Sequence, residues 1–136
     1  MTAWLKVIGT SSDPLRNDWV AHAPSLLRVA SFGKRPDEGS FVPGDLLVYY
    51  ALRGDVSRVV AIGRVKDKAY YDQARDPGWP WLVPVEIEAM KDFISDGFPL
   101  DRFDVDRTLT RSVRRHSHII MRPGELQLVR QAFGLA

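Results

Sequence analysis

Three groups of residues have types and spacing that could do chemistry. Of the chain's 19 basic residues, five are arginines lying between Arg107 and Arg122, a stretch with no acid. Planar, bidentate donors of one sign are suited to tracking phosphate, although such a run also reads as a solvated basic face. Arg111, Arg114, Arg115 and His116 are the candidates, joined by Lys34 and Arg35 from an earlier polar loop. The second group is aromatic: Gly78-Trp79-Pro80-Trp81 sets two tryptophans in a segment bracketed by Gly and Pro. The third group could in principle be catalytic. Glu86 and Glu88 share one strand face, as a pair for acid and base work would, but an exposed strand face explains them as well. His116-x-His118 has a spacing that could ligate a metal, yet Arg114 and Arg115 would repel the cation, so no metal is expected. The phosphate-loop, nucleophile-elbow and dinucleotide patterns are absent, and without cysteine there is no thiolate nucleophile. No catalytic residue and no cofactor is expected.

These groups must be positioned by elements, and the central one runs from Phe41 to Lys68. Pro43-Gly44-Asp45 is a turn tripeptide that delivers the chain into Leu46–Ala51, an apolar and aromatic run of strand length. Arg53-Gly54-Asp55 reverses it, and Val59–Val65 returns, rich in β-branched residues. Gly63 inside that return predicts a bulge or a close approach. Ala3–Gly9 predicts a central strand with Trp4 in the core. Ser11-Ser12-Asp13-Pro14 predicts the start of a helix running to about Ala23, with Leu15 and Trp19 on one face and Pro24 as its stop. Leu26–Ser31 reads as extended, and 32–40 as a polar loop. Leu82–Met90 alternates as a strand with Val83, Val85 and Ile87 on one face, and Pro84 pushes it toward an edge. The segment 91–106 is irregular, anchored by Phe93, Ile94, Phe98 and Leu100. His118–Met121 is a last strand. Pro123-Gly124 opens a terminal helix with Leu126, Val129 and Phe133 on one stripe and Gly134 as its stop. Leu47, Ile62, Val85 and Leu126 are the expected core.

At 136 residues the chain fits a single domain over 1–136 that can bury a core without staples. The absence of cysteine agrees with a reducing cytoplasm. No export signal and no apolar run of membrane-spanning length is present, so a soluble cytoplasmic protein without a membrane partner is expected. The formal charge of +2 hides a local basicity: outside the arginine stretch, 14 basic residues face 17 acidic ones.

The order of the pieces carries a resemblance. A first strand with Trp4, a capped helix, the PGD turn into LLVYYA, the return VVAIGRV, a tryptophan loop before VPVEIEAM, then a strand and a terminal helix together resemble the EVE domain of the PUA-like superfamily. The resemblance spans nearly the whole chain. Its most specific part is the turn, the strand with paired tyrosines and the I-G-x-V return. Where many members carry a Trp-Gly-Val-Arg-Asn-like stretch after the first helix, this sequence has Val29-Ala30-Ser31-Phe32-Gly33.

The resemblance implies an α+β fold: a small, strongly curved PUA-like β-barrel of five to six strands flanked by helices. It also implies a pocket for an extruded, modified base, of the 5-methylcytosine type in DNA or, in the related YTH domains, a methylated RNA base. A base out of its stack needs flat apolar walls, a few polar groups at its edge and cations for the flanking phosphates. Trp79 and Trp81 are the first wall, Trp81 being equally readable as core. Phe32 or Trp19 is the second wall, Trp19 again with a core role open. Ser31 and the Gly33 backbone are carried over from the family as the polar edge. Tyr49 and Tyr50 point to opposite strand faces; one is core, and Tyr50 is taken as the pocket residue. The expected protein is a non-catalytic, monomeric reader of modified nucleic acid, DNA ahead of RNA. Two alternatives remain. One is a small hydrolase on an ASCH-like scaffold using Lys66, Lys68, Tyr70 and Glu86. The other is an RNA-binding accessory domain that reads no modification.

Overall fold

The computed structural model describes residues 1–9, 15–22, 29–31, 41–53, 57–71, 81–103 and 118–135, with backbone alone at 21–22 and 29–31. Eight strands are present there: β1 (Ala3–Ile8), β2 (Val29–Ser31), β3 (Leu46–Ala51), β4 (Arg58–Val65), β5 (Tyr70–Tyr71), β6 (Trp81–Leu82), β7 (Val85–Met90) and β8 (His118–Ile120). One α-helix, α1 (Pro123–Ala132), closes the order.

The sheets follow from the hairpin. β3 and β4 pair antiparallel, and β7 adds to the outside of β4. On the other side β1 lies parallel to β3, with Ala3 opposite Leu46 and Ile8 opposite Ala51, and β8 pairs antiparallel to β1. The five-stranded order is therefore β7-β4-β3-β1-β8, mixed and open, with β7 and β8 as its edges among the described residues. A second sheet has the order β2-β6-β5. It continues the β4–β7 ribbon: Val65 pairs with Val85, the Lys66 amide bonds the Pro84 carbonyl at 2.9 Å, and Tyr70 then pairs with Leu82. The α+β class is as expected, but the strand count is larger and the main sheet does not close on itself. The single strand expected over Leu82–Met90 is two, because Pro84 has no amide to continue a ladder and the chain changes sheets there.

Each face of the large sheet carries a core. One contains Ile8, Leu47, Tyr49, Ala51, Ala61, Val65 and Val83, with Trp19 and Phe41 laid over them and Trp4 and Trp81 partly buried against them. The other contains Leu5, Leu46, Val48, Val59 and Ile62, covered by Leu100, Phe103 and the Leu126 and Val129 stripe of α1. Leu47, Ile62 and Leu126 are buried as expected. Val85 is only half-buried, because it sits on the edge strand. Trp4 is likewise half-buried rather than core, and Phe93 is exposed.

Local signals explain the joints. Pro43 and Gly44 occupy the two middle positions of a turn in which the Asp45 amide bonds the Val42 carbonyl at 3.0 Å, with Gly44 at φ +95. That is the geometry Pro-Gly favours. A register shift between Ile62 and Gly63 is the bulge predicted at Gly63, and a Cβ there would press on the Ile87 side chain at 3.1 Å. At the helix end Gly134, at φ +74, donates to Gln131, and Leu135 donates to Arg130, the two bonds of a Schellman stop. The helix expected from Ser11 to Ala23 is not seen in its described part, 15–22, which holds only a 3-10 turn at Trp19–His22. Its backbone is engaged elsewhere: the Leu15 amide bonds Leu52, and the Asn17 carbonyl and side chain accept from Ile94 and Ser95. No helix of the described residues is long and apolar enough to cross a membrane.

Candidate functional site

The small sheet gathers strand ends. Ser31, the last residue of β2, pairs with Trp81, the first of β6, and Tyr71, the last of β5, pairs with Trp81 from the other side. The chain therefore leaves Ser31 toward Phe32 and arrives at Trp81 from Trp79 and Pro80 at one point. Trp81 is half-buried on the first core, and the Tyr71 ring meets it edge-on at 5.5 Å. Tyr70 and Tyr71 are exposed.

A second gathering lies on the same sheet face, around Trp4 of β1. The Phe41 ring is 5.8 Å from Trp4 and 4.5 Å from His118, and His118 is 5.2 Å from Trp4. Phe41 ends the segment that carries Lys34 and Arg35, and His118 follows the one that carries the arginines. Both segments are thus tied to one ring cluster. Phe41 has φ +56, a conformation rare for a bulky side chain, and its full burial against Trp4 and His118 holds it there. The Asp45 carboxylate organises the base of this cluster. It is fully buried and accepts from the Thr2 amide at 2.9 Å, the Trp4 indole at 2.9 Å and the Val42 amide at 3.2 Å.

On the same face as Trp4, two residues further along β1, is Lys6. Its register neighbours are Tyr49 of β3 and His118 of β8. It is 2 % exposed, and among the described residues its ammonium donates to the Val7 carbonyl, at 3.3 Å. Burial pulls the ammonium from 10.5 to about 8 and pushes the Tyr49 hydroxyl upward.

The sequence-predicted residues distribute as follows. Trp81 and the backbone of Ser31 are adjacent. Phe32, Gly33, Trp79, Lys34, Arg35, Arg111, Arg114, Arg115 and His116 lie outside the described residues. Trp19 is a core residue rather than a wall: it is 1 % exposed, and its indole donates to the Lys91 carbonyl at 3.1 Å. Tyr50 lies on the opposite face from Trp81, packed with the α1 side core, because Tyr49 takes the inward position on the tryptophan side. Glu88 is held between Arg64 at 3.1 Å and Arg130 at 3.2 Å, which ties α1 to the sheet. Glu86 pairs with Lys66 at 3.1 Å in solvent. Each carboxylate thus has a cation. Lys6 and the Trp4–Phe41–His118 cluster went unread in the sequence. The signal was present: in AWLKVI the lysine falls on the alternation of Trp4 and Ile8, the inward side of an interior strand.

No protein-family model matches the chain, and no curated protein matches it. Solved structures do. A protein of Rhodopseudomonas palustris, solved by NMR, superposes with a TM-score of 0.58 at 19% identity over 98% of this chain and 94% of its own. A hypothetical protein from Leishmania major gives 0.58 at 16% identity, covering 98% and 95%. A crystal structure of a protein from Agrobacterium tumefaciens gives 0.55 at 15% identity, covering 100% and 95%. At these identities the likeness is one of fold, and it extends over almost the whole of each chain.

Proposed function

We propose that this chain is a non-catalytic nucleic-acid-binding module that accommodates a modified base, of the 5-methylcytosine type in DNA ahead of a methylated base in RNA. The observation that carries the reading is the convergence of chain ends on one sheet face. Of the six ends of the segments 32–40, 72–80 and 104–117, which bear the candidate walls and phosphate cations, five lie there, at Ser31, Tyr71 and Trp81 or at Phe41 and His118, and the sixth, Phe103, belongs to the core on the other face. An extruded base needs stacking surfaces and nearby cations together, and such anchoring favours that arrangement. In this reading the two sheets are parts of a PUA-like curved barrel, Trp79 and Trp81 supply the stacking wall, Phe32 faces them, and Ser31 and the Gly33 backbone meet the base edge. The protein acts as a cytoplasmic monomer of one EVE-like domain. The ion-paired state of Glu86 and Glu88 supports a binding rather than a hydrolytic role.

Titration of the wild type, Trp79→Ala and Trp81→Ala with oligonucleotides carrying one 5-methylcytosine, one 5-hydroxymethylcytosine, one N6-methyladenine or none, at fixed salt, tests it. The wild type should prefer one modification, and the variant that removes the stacking ring should lose about 1–3 kcal/mol and most of that preference. A wild type that binds all four alike overturns the reading.

A further inference from the structure

Two of the large side chains exposed on this protein are consecutive tyrosines, Tyr70 and Tyr71, and together they make up the whole of β5. Tyr71 is 53 % exposed, so more than half of its surface stands in water. Its position is nonetheless fixed. The backbone pairs with Trp81 in the register of β5 and β6, and the ring meets the Trp81 ring at 5.5 Å with an interplanar angle of 64°. Trp81 is in turn packed against the first core. In an edge-to-face pair only one ring presents its face to the other. Whichever ring supplies the edge, at least one face of Tyr71 is left uncovered by Trp81.

The surroundings decide what such a face suits. Lys66, Asp67 and Lys68, which lead into β5, are all exposed, and Lys66 pairs with Glu86 in solvent. The core of a protein interface is depleted of charge, so an aromatic step with charges on the same short segment makes a poor centre for one. β5 has two residues, too short an edge to accept a partner's strand. A single flat ring makes neither demand. It covers one aromatic face, and a phosphate backbone attached to it can run past ammonium groups of the same segment.

We infer that Tyr71 is a stacking surface for one unpaired base of a bound nucleic-acid strand, with Trp81 holding its ring in position. This rests on the nucleic-acid reading above and deepens it by naming the form of nucleic acid. An intact duplex hides its base faces in the stack, and exposing one costs unstacking energy. A single strand offers them at less cost, so the protein prefers single-stranded nucleic acid to the matching duplex. Every base has a π face, so this contact tolerates any sequence and does not itself read the modification.

The experiment titrates wild type, Tyr71→Ala and Tyr71→Phe, at one salt concentration, with a single-stranded oligonucleotide carrying one 5-methylcytosine, its blunt duplex, and an abasic strand of equal length that keeps every phosphate and no base. A denaturant midpoint verifies that each variant is folded, as expected for an exposed side chain. The wild type should bind the single strand more tightly than the duplex. Tyr71→Ala should bind the single strand about 5- to 150-fold more weakly, as for loss of one base stack on an aromatic ring. Tyr71→Phe should stay near the wild type, because the ring and not the hydroxyl makes the stack. On the abasic strand wild type and Tyr71→Ala should bind alike, which separates stacking from a general loss of the surface. Three results overturn the assignment while leaving the nucleic-acid reading standing: a folded Tyr71→Ala that matches the wild type on the single strand or loses as much on the abasic one, a Tyr71→Phe as weak as Tyr71→Ala, or a wild type that prefers the duplex. A wild type that binds no oligonucleotide overturns both.

Discussion

Lys6 governs how the protein answers to pH. Its folded pKa is about 8, against 10.5 when unfolded. Between those values the unfolded chain holds more protons, so stability rises with pH across that window, and below it the burial penalty is fully present. Lys6→Met should therefore be more stable than the wild type at pH 7, by on the order of 3 kcal/mol, with the difference fading toward pH 10.5; urea midpoints across the range measure this. At this scale the sequence was partly legible. Residue type and bracketing marked the tryptophans, and Trp81 does stand beside Ser31. Trp19 and Tyr50 misled because a lone aromatic in a short element does not announce which side it will face. Trp19 is drawn inward by an indole bond to a carbonyl in a distant segment. The assignment of Tyr49 to the tryptophan side and Tyr50 to the helix side depends on which flank each core occupies.

Among the elements, the turn from Val42 to Asp45 has the widest consequences. Asp45 was read only as part of a turn tripeptide, and its carboxylate accepts from the Val42 amide three residues upstream. It also holds the Thr2 amide and the Trp4 indole, which fix β1 against the start of β3. Asp45→Ala would leave the donors of half-buried Thr2 and Trp4, and the amide of the exposed Val42, without their acceptor and should cost about 2–3 kcal/mol, read as a shift in denaturant midpoint. Because the Trp4 ring would lose its anchor, its fluorescence should change in the native state as well. The hairpin and its bulge, the Pro-Gly turn, the last strand and the terminal helix were legible because each carries a local marker: φ preference, β-branched content, a 3.6-residue stripe. The first helix was not. Its start signal is local, but the backbone of Leu15 and Asn17 bonds to Leu52 and Ile94, and tertiary partners outweigh the modest propensity of a short segment.

For the molecule as a whole, the α+β class and the two-sided burial of the main sheet could be anticipated from alternating strands and one amphipathic helix. Barrel closure came from resemblance alone, and the open order β7-β4-β3-β1-β8 does not display it. The charge distribution makes a prediction at this scale. If the arginine-rich segment before β8 follows phosphates, replacing Arg114 and Arg115 together with Ala should flatten the slope of log K against log salt by about 1 to 2 units. Binding measured at several salt concentrations gives the slope directly. An unchanged slope would assign the segment to the solvated surface.

The parallel pairing of β1 with β3 carries a consequence for assembly. Both neighbours of β1 are distant in sequence: Ala3 meets Leu46, and Trp4 meets Ile120. The β3–β4 hairpin can form from local contacts and β7 can follow it, but β8 has no neighbour in the sheet until β1 has docked. Loop closure over such separations slows folding. A chain shortened at its first strand would leave the Leu46–Ala51 edge unpaired and strand β8 from the sheet. An apolar edge of that kind invites another chain to fill the slot, so such a fragment should exchange strands between molecules or aggregate rather than persist as a smaller copy of the fold.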